Sequence, residues 1–191
     1  MVLAGGVGIG AGIGLQHIAS NVISGFIIVF GRKLRKGDWI KVGDKLGMVT
    51  NIYLRATNIW TRDNIEFLVP NNDLISKPIV NYTLTSPIVR IYAPLEVTID
   101  ADPKEAARIM LKSAEKHQQV TQFRKPEARI AGFGDTSIKF ELLVWIDIRK
   151  IAEKDIKSRL YFTIMEELNE AGIEMPTPLR YPHPHRRSSA G

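Results

Sequence analysis

The first thirty residues constrain the fold of this chain more than any other feature. Residues 1–30 contain no Asp, Glu, Lys or Arg, and His17 is the only one of them that can carry a charge. At about 1.5 Å per residue, a helix of this length is longer than the roughly 30 Å needed to cross the hydrocarbon core of a bilayer. The segment therefore predicts a membrane-spanning helix whose remainder continues beyond the hydrocarbon.

Glycines repeat along two opposite flanks of this helix at small-xxx-small spacing. One flank carries Gly6, Gly10 and Gly14, and the other carries Gly5, Gly8 and Gly12. A head-to-tail ring of identical helices requires close packing on both flanks, so we interpret Gly6, Gly8, Gly10, Gly12 and Gly14 as packing residues of a pore helix. The alternative is a lone anchor helix or a signal peptide. Repeated glycines suit neither, because Gly costs about 1 kcal/mol relative to Ala inside a helix.

Ile9 and Ile13 lie one turn apart in a sector between the glycine flanks, and we assign this sector to the pore axis. Val7 and Leu15 lie in the opposite sector. Two stacked rings of branched aliphatic side chains can narrow a water column until it dewets, which predicts a pore seal at Ile9 and Ile13. The alternative is that both isoleucines are ordinary lipid-facing or helix-packing residues.

The character of the helix changes near Gln16 and His17. Beyond this point one side of the helix is polar and another is apolar; the polar side carries His17, Ser20, Asn21 and Ser24. This pattern predicts a bend at Gln16, His17 or Gly25, after which the helix lies along the membrane interface. A straight continuation of the helix is the alternative.

Four basic residues follow directly on the apolar stretch, namely Arg32, Lys33, Arg35 and Lys36. An excess of Lys and Arg beside a membrane span is typical of the cytoplasmic side. We therefore expect the chain to lie in the cell membrane, with the residues after about 31 in the cytoplasm. The four cations are expected to bind anionic lipid headgroups at roughly 1 kcal/mol per residue, which explains part of the formal charge of +6 without nucleic acid as a partner.

Residues 32–82 are predicted to form a small β domain. Short segments rich in β-branched and aromatic residues cover 39–42, 47–52, 57–61 and 65–69, and Asp63-Asn64 predicts a hairpin tip between the last two. Four or five strands in so few residues favour a closed, strongly bent barrel over an open sheet.

Residues 83–181 are predicted to form a ferredoxin-like α+β domain. A strand at 88–99 is followed by a helix that begins at the N-cap Asp102 and continues to Gln118. Apolar residues then alternate strictly from Ile138 to Ile146, and a second helix ends at Gly172. Residues 182–191 combine proline, serine and basic residues and are predicted to be a disordered tail.

An ordered set of motifs resembles the small-conductance mechanosensitive channel family. The motifs are Gly14-Leu15-Gln16, Ala19-Ser20-Asn21, Ser24-Gly25, Gly37-Asp38-Trp39-Ile40, Gly47-x-Val49, Arg55-x-Thr57, Val69-Pro70-Asn71 and Ile79-x-Asn81-Tyr82. The resemblance implies a homo-heptamer with a kinked pore helix, an Sm-like β domain below the membrane and an α/β domain closing a cytoplasmic vestibule. It also implies an apolar constriction at Ile9 and Ile13.

The chain departs from the family pattern in three places. Further transmembrane helices precede the pore helix in the family, whereas this sequence starts at the pore helix. His17 stands where many members carry Gly at the kink, which shifts the expected bend toward Gly25. The stretch 175–179 is rich in proline, so we expect the family's terminal strand to be short or absent.

The sequence indicates a channel and not an enzyme. It has no Cys, no metal-ligand spacing, no Gly-x-Ser-x-Gly motif and no Walker loop, so we predict no catalytic residue, no cofactor and no metal. We interpret the chain as the pore-forming and vestibule part of a mechanosensitive ion channel, opened by membrane tension to release ions and small solutes on hypoosmotic shock. Its expected partners are further copies of itself in a cyclic homo-oligomer, membrane lipids and permeating ions. The alternative is a membrane-anchored Sm-like module that binds RNA or protein.

Overall fold

The computed structural model describes residues 2–176, with side chains described from residue 13 onward. The chain divides into two compact units, one formed by Met1–Val89 with Ile146–Ala152 and the other by Arg90–Trp145 with Glu153–Gly191. The predicted disordered tail at 182–191 lies outside the described residues. So do the side chain of Ile9 and the surroundings of Gly6, Gly8, Gly10 and Gly12.

The first unit begins with one long helix, α1, at Val2–Gly31. The helix continues without interruption through Gln16, His17 and Gly25, and the position of the predicted bend stays a prediction. Among the residues with described side chains, Ile13–Gly31 is long and apolar enough to cross a membrane, by length and composition alone.

A five-stranded antiparallel sheet with one short helix follows α1. Its elements are β1 (Trp39–Val42), β2 (Lys45–Ile52), β3 (Ala56–Trp60), β4 (Glu66–Pro70), α2 (Asn71–Ser76) and β5 (Val80–Asn81). The strand order is β4-β3-β2-β1-β5. The four predicted strands are confirmed to within two residues at each end. The two-residue strand β5 was not predicted.

Each of the four longer strands contributes a buried residue to the hydrophobic core of this unit. Its buried strand residues are Ile40, Val49, Ile59 and Val69, and Ile28, Leu34 and Leu74 pack against them. Tight turns allow the sheet to bend around this core: Gly43 has φ +58° and Asn64 has φ +60°, so the predicted hairpin at Asp63-Asn64 is confirmed. Because Ile28 belongs to α1, the core of the β unit includes the end of the apolar helix.

The second unit has the order strand, helix, two strands, helix, as expected of a ferredoxin-like α+β layer. Its elements are β6 (Ile88–Thr98), α3 (Pro103–Lys116), β7 (Glu127–Phe133), β8 (Ser137–Asp147) and α4 (Glu153–Glu170), with β8 between β6 and β7 in the sheet. The apolar faces of both helices are buried, whereas the sequence analysis did not locate β7. That strand has exposed apolar residues such as Ile130 and Phe133, which obscure its alternation.

The ends of the two helices follow from local hydrogen bonding. The Asp102 side chain accepts a hydrogen bond from the Lys104 backbone N–H at 2.9 Å, which confirms the predicted N-cap. Gly172 has φ +72°, and the Ile173 N–H donates to the Leu168 carbonyl at 2.9 Å, the 6→1 bond of a Schellman motif. The helix α3 ends at Lys116, two residues before its predicted end, because His117 has extended backbone angles.

A half-buried carboxylate joins the two helices of the second unit. The Ser113 hydroxyl, on α3, donates to Glu167 Oε2 on α4 at 2.9 Å, and the Lys116 ammonium forms an ion pair with the same carboxylate. The hydrogen bond from Lys116 is the main cause that holds the pKa of Glu167 below its usual value, and the bond from Ser113 adds to it.

The lowered pKa of Glu167 predicts an acid-sensitive contact. The fold favours the ionised form of Glu167. Its contribution to the free energy of unfolding is therefore complete above the pKa of 4.5 that the group has in the unfolded chain, and it is lost as pH falls through the lower pKa of the folded chain. We expect Glu167→Gln to flatten this part of the dependence of unfolding temperature on pH, measured on the chain in detergent. Glu166→Gln, at the exposed neighbouring position, is the control; an unchanged acid profile for Glu167→Gln would contradict the prediction.

Candidate pore helix and its anchorage

The C-terminal half of α1 is joined to the β unit through polar contacts with α2. The Ser20 hydroxyl donates to Asn72 Oδ1 at 2.8 Å, and the Asn72 backbone N–H donates to Asn21 Oδ1 at 3.0 Å. The N-cap of α2, Pro70, has no side chain that can accept a hydrogen bond from the first-turn N–H groups. Asn21 therefore supplies the acceptor for a donor that α2 leaves open. The polar side predicted for α1 therefore contacts α2.

Gly25 lies where α1 comes closest to the β unit. A Cβ atom at this position would lie 2.6 Å from the Leu54 carbonyl oxygen and 2.7 Å from Asn71 Nδ2. Backbone cannot yield at such distances, so the site requires glycine. The close approach gives Gly25 a role in packing, whereas its predicted role in bending stays a prediction.

The buried side chain of Asn71 organises this contact. Its amide nitrogen donates to the carbonyls of Tyr53 and Leu54 at 2.9 and 3.1 Å, and its amide oxygen accepts from the Thr57 hydroxyl at 2.8 Å. Both amide hydrogens and the amide oxygen are therefore used, as a buried amide requires. These bonds fix the loop between β2 and β3 against which Gly25 packs.

The opposite side of the same half of α1 is apolar and exposed. Ile23, Phe26, Ile27 and Phe30 follow the i, i+3, i+4, i+7 pattern of one helix face, and the rings of Phe26 and Phe30 stack with centroids 6.2 Å apart. A contiguous row of large apolar side chains marks a surface that contacts another apolar phase or protein.

The described side chains in the N-terminal part of α1 are exposed to solvent in the single chain. All residues from 13 to 19 are exposed, with Ile13 at 65% and Leu15 at 59%. A Cβ atom at Gly14 would meet no atom within 4 Å. Ile13 and Leu15 are therefore not covered by the described part of the chain, and the side chain of Ile9 lies outside it.

The four predicted membrane-surface cations form an exposed turn after α1. The Arg35 guanidinium donates to the Arg32 carbonyl at 3.2 Å, and the Lys36 ammonium donates to Asn51 Oδ1 at 3.2 Å. Both acceptors are neutral oxygens, so these contacts leave the positive charges uncompensated. Lys33 is exposed as well.

Asp38 fixes the end of this basic turn. Its carboxylate accepts from the Arg35 backbone N–H at 2.9 Å, from the Asn81 amide at 2.9 Å and from the Thr83 hydroxyl at 3.2 Å. The sequence analysis named Asp38 only as part of the motif Gly37-Asp38-Trp39-Ile40 and gave it no such role. The contact joins Asp38 to Asn81, although the two residues are far apart in the chain.

The described residues contain no cluster of three or more His, Asp or Glu side chains that could hold a metal ion. What the site offers is an apolar helix, a rigid attachment to a β unit and a basic turn. This arrangement can position a helix in a membrane.

Two family models match most of the chain. Residues 17–84 match the β-domain of the mechanosensitive ion channel family, and residues 93–175 match the C-terminal domain of the mechanosensitive ion channel MscS. The first match includes the C-terminal half of α1 together with the whole sheet against which it packs.

Curated relatives include two channels of Escherichia coli (strain K12). The mechanosensitive channel MscK is 33% identical over 144 residues, which cover 75% of this chain and 13% of MscK. The miniconductance mechanosensitive channel MscM is 31% identical over 176 residues, which cover 92% of this chain and 16% of MscM. The chain thus spans less than a fifth of the length of these two relatives.

Solved structures share the fold at lower identity. The crystal structure of Helicobacter pylori MscS in its closed state matches with a TM-score of 0.82 at 22% identity, covering 92% of this chain and 69% of that one. The cryo-EM structure of Arabidopsis thaliana MSL1 matches with a TM-score of 0.70 at 18% identity, covering 92% of this chain and 65% of that one.

The close approach at Gly25 predicts a specific sensitivity. Gly25→Ala places a methyl group against the Leu54 carbonyl, and overpacking of this kind costs about 1–3 kcal/mol. We expect a matching loss in the free energy of unfolding and faster amide hydrogen exchange in α2, measured by denaturant titration and mass spectrometry. Gly31→Ala is the control, because nothing lies within 4 Å of its Cβ position. Equal effects at both glycines would show that the contact is not tight.

Proposed function

Because this chain belongs to the small-conductance mechanosensitive channel family, we propose that it is the pore-forming and vestibule part of a tension-gated ion channel. One observation carries the proposal: the apolar helix α1 packs directly into the core of a β unit that matches the family's β-domain. Family membership also favours a channel over an Sm-like module that binds RNA or protein. In this proposal the chain catalyses no reaction and needs no cofactor.

The mechanism requires no chemistry, only a difference in shape between closed and open states. Membrane tension favours the state with the larger in-plane area, so pore helices that tilt apart under tension open the channel. The hydrogen bonds of Ser20 and Asn21 to Asn72 join the C-terminal half of α1 to the β unit. Movement is then concentrated in the N-terminal half, which has no such contacts among its described side chains.

The exposed N-terminal half supports assembly from several copies. Residues 13–19 are uncovered within the chain, and the open space at Gly14 allows a neighbouring helix to approach closely. We propose a cyclic homo-oligomer, by family resemblance a heptamer, in which Gly6, Gly8, Gly10, Gly12 and Gly14 pack between helices. Residues 32–82 and 83–181 then surround the cytoplasmic vestibule.

The apolar face of α1 and the basic turn support contact with the membrane surface. Ile23, Phe26, Ile27 and Phe30 supply an apolar face, and the cations of residues 32–36 follow within two turns. This combination is typical of helices that lie in the headgroup region of anionic bilayers. We propose that it holds α1 in the cell membrane with the later residues in the cytoplasm.

The seal is tested by polar substitution at the proposed axis. Ile9→Ser or Ile13→Ser should hydrate the closed pore, because a hydroxyl at an apolar constriction lowers the barrier to wetting. We expect a lower opening tension in patch recordings of the complete channel protein in liposomes, and slower growth of cells that express it.

Val7→Ser and Leu15→Ser are the matched controls, since both residues lie in the opposite sector of the helix. Equal effects at both pairs, or no leak from the isoleucine pair, would show that the assignment of the pore axis is wrong.

The basic turn is tested by removing its charge. Changing Arg32, Lys33, Arg35 and Lys36 to Gln should weaken sedimentation with anionic vesicles, and high salt should reproduce the loss because it screens the same attraction. The control replaces four exposed cations of the second unit, Lys104, Arg108, Lys112 and Lys125. Unchanged binding at low salt would show that the turn is only a solvated loop.

A further inference from the structure

The second unit exposes large apolar side chains at two separate places. On β7, Phe133 is 68% exposed and Ile130 is 49% exposed; on α4, Phe162 is 74% exposed and Met165 is 44% exposed. Single exposed apolar residues are normal, but neighbouring large apolar side chains form patches of the kind that mark contacts with another protein. Each place is therefore a candidate interface.

The first of these places lies on the edge strand β7. The strand order β6-β8-β7 leaves the outer side of β7 without a partner strand among the described residues. The register between β7 and β8 shifts between Ile130 and Gly132, and Glu127 and Arg129 place charges on the same strand. A register shift and charged side chains disfavour the addition of another strand, so a helix is the better cover for this edge.

The second place is the exposed side of α4. The buried side of this helix carries Ile156, Leu160, Ile164 and Leu168. Phe162 follows Leu160 by two residues, which is about 200° around the helix, and therefore lies on the opposite side. Together with Tyr161 and Met165 it lines a groove of about 370 Å³. A groove of this size can receive a large side chain of a neighbouring protein.

The two surfaces match in length and lie on different sides of the unit. The seven residues of β7 extend about 23 Å, and the 18 residues of α4 extend about 27 Å. Within the unit α3 packs against both β7 and α4, so α3 lies between them. A contact between two different surfaces of the same kind of subunit is heterologous, and contacts of this type build closed rings.

We propose that β7 of one copy packs against the exposed side of α4 of the next copy. Phe133 enters the groove beside the partner's Phe162, and the two apolar pairs cover each other. This rests on the cyclic homo-oligomer proposed above and adds the surfaces through which the second units of neighbouring copies meet. Each copy gives β7 to one neighbour and α4 to the other, so a closed ring covers both surfaces in every copy.

The absence of cysteine from the chain makes a cross-linking test direct. In Phe133→Cys/Phe162→Cys, each thiol lies near the other kind of thiol on the neighbouring copy. A short bismaleimide should therefore link the chains in detergent into a ladder of dimers, trimers and larger species in denaturing electrophoresis. Phe133→Cys or Phe162→Cys alone should keep the mobility of a single chain, because a heterologous contact does not bring two copies of one position together.

The control pair is Glu115→Cys/Lys139→Cys, at two exposed positions outside both surfaces, and it should link far less. Native mass spectrometry of the same samples reports the number of subunits independently. Rings without a ladder would overturn this contact and leave the proposed oligomer intact, whereas single chains would overturn both. An equal ladder from the control pair, dimers from a single-cysteine variant, or two thiols linked within one chain would overturn the contact as well.

Discussion

The position of α1 depends on one buried amide, that of Asn71. Its three hydrogen bonds hold the loop between β2 and β3 in the shape that Gly25 contacts. Burial makes these bonds obligatory, since an unsatisfied amide in a protein interior costs about 1–3 kcal/mol. Ile28 then reaches the core of the sheet only because the backbone at Gly25 has come close enough. The apolar helix and the β unit are therefore one packed object, with α1 supplying part of a core that the strands alone leave open.

Much of the fold could be predicted because its signals are periodic. The strand segments of the β unit, the hairpin turn at Asp63-Asn64, the N-cap Asp102 and the helix end at Gly172 each depend on a few neighbouring residues, and each was confirmed. The contacts of α1 with the sheet could not be predicted in the same way. Asn21 and Asn72 are far apart in sequence, and nothing in the local pattern pairs them. The polar side of α1 suggested an interface with headgroups, whereas the structure gives part of it to α2.

In the candidate site, too, features that depend on neighbouring residues could be predicted, and contacts between distant residues could not. Its basic turn could be located from sequence alone, because charge beside an apolar stretch is a local pattern. The role of Asp38 in fixing that turn could not be predicted, since two of its partners, Asn81 and Thr83, lie more than 40 residues later, in and just after β5. The predicted seal depends on neighbours that a single chain does not contain. For Ile13 the structure reports an uncovered side chain, so the seal stays a prediction.

The hydrogen bond from the Asn72 backbone to Asn21 makes the folding of α2 depend on the position of α1. A six-residue helix is too short to be stable by itself. In the first turn of α2, the Asn72 N–H donates to Asn21 Oδ1, an acceptor that belongs to α1. If α1 is drawn away, α2 loses a cap of a kind that contributes about 1 kcal/mol, and its first turn is free to fray. In the proposed channel, a displacement of α1 would thereby be coupled to a local helix–coil transition at the surface of the β unit.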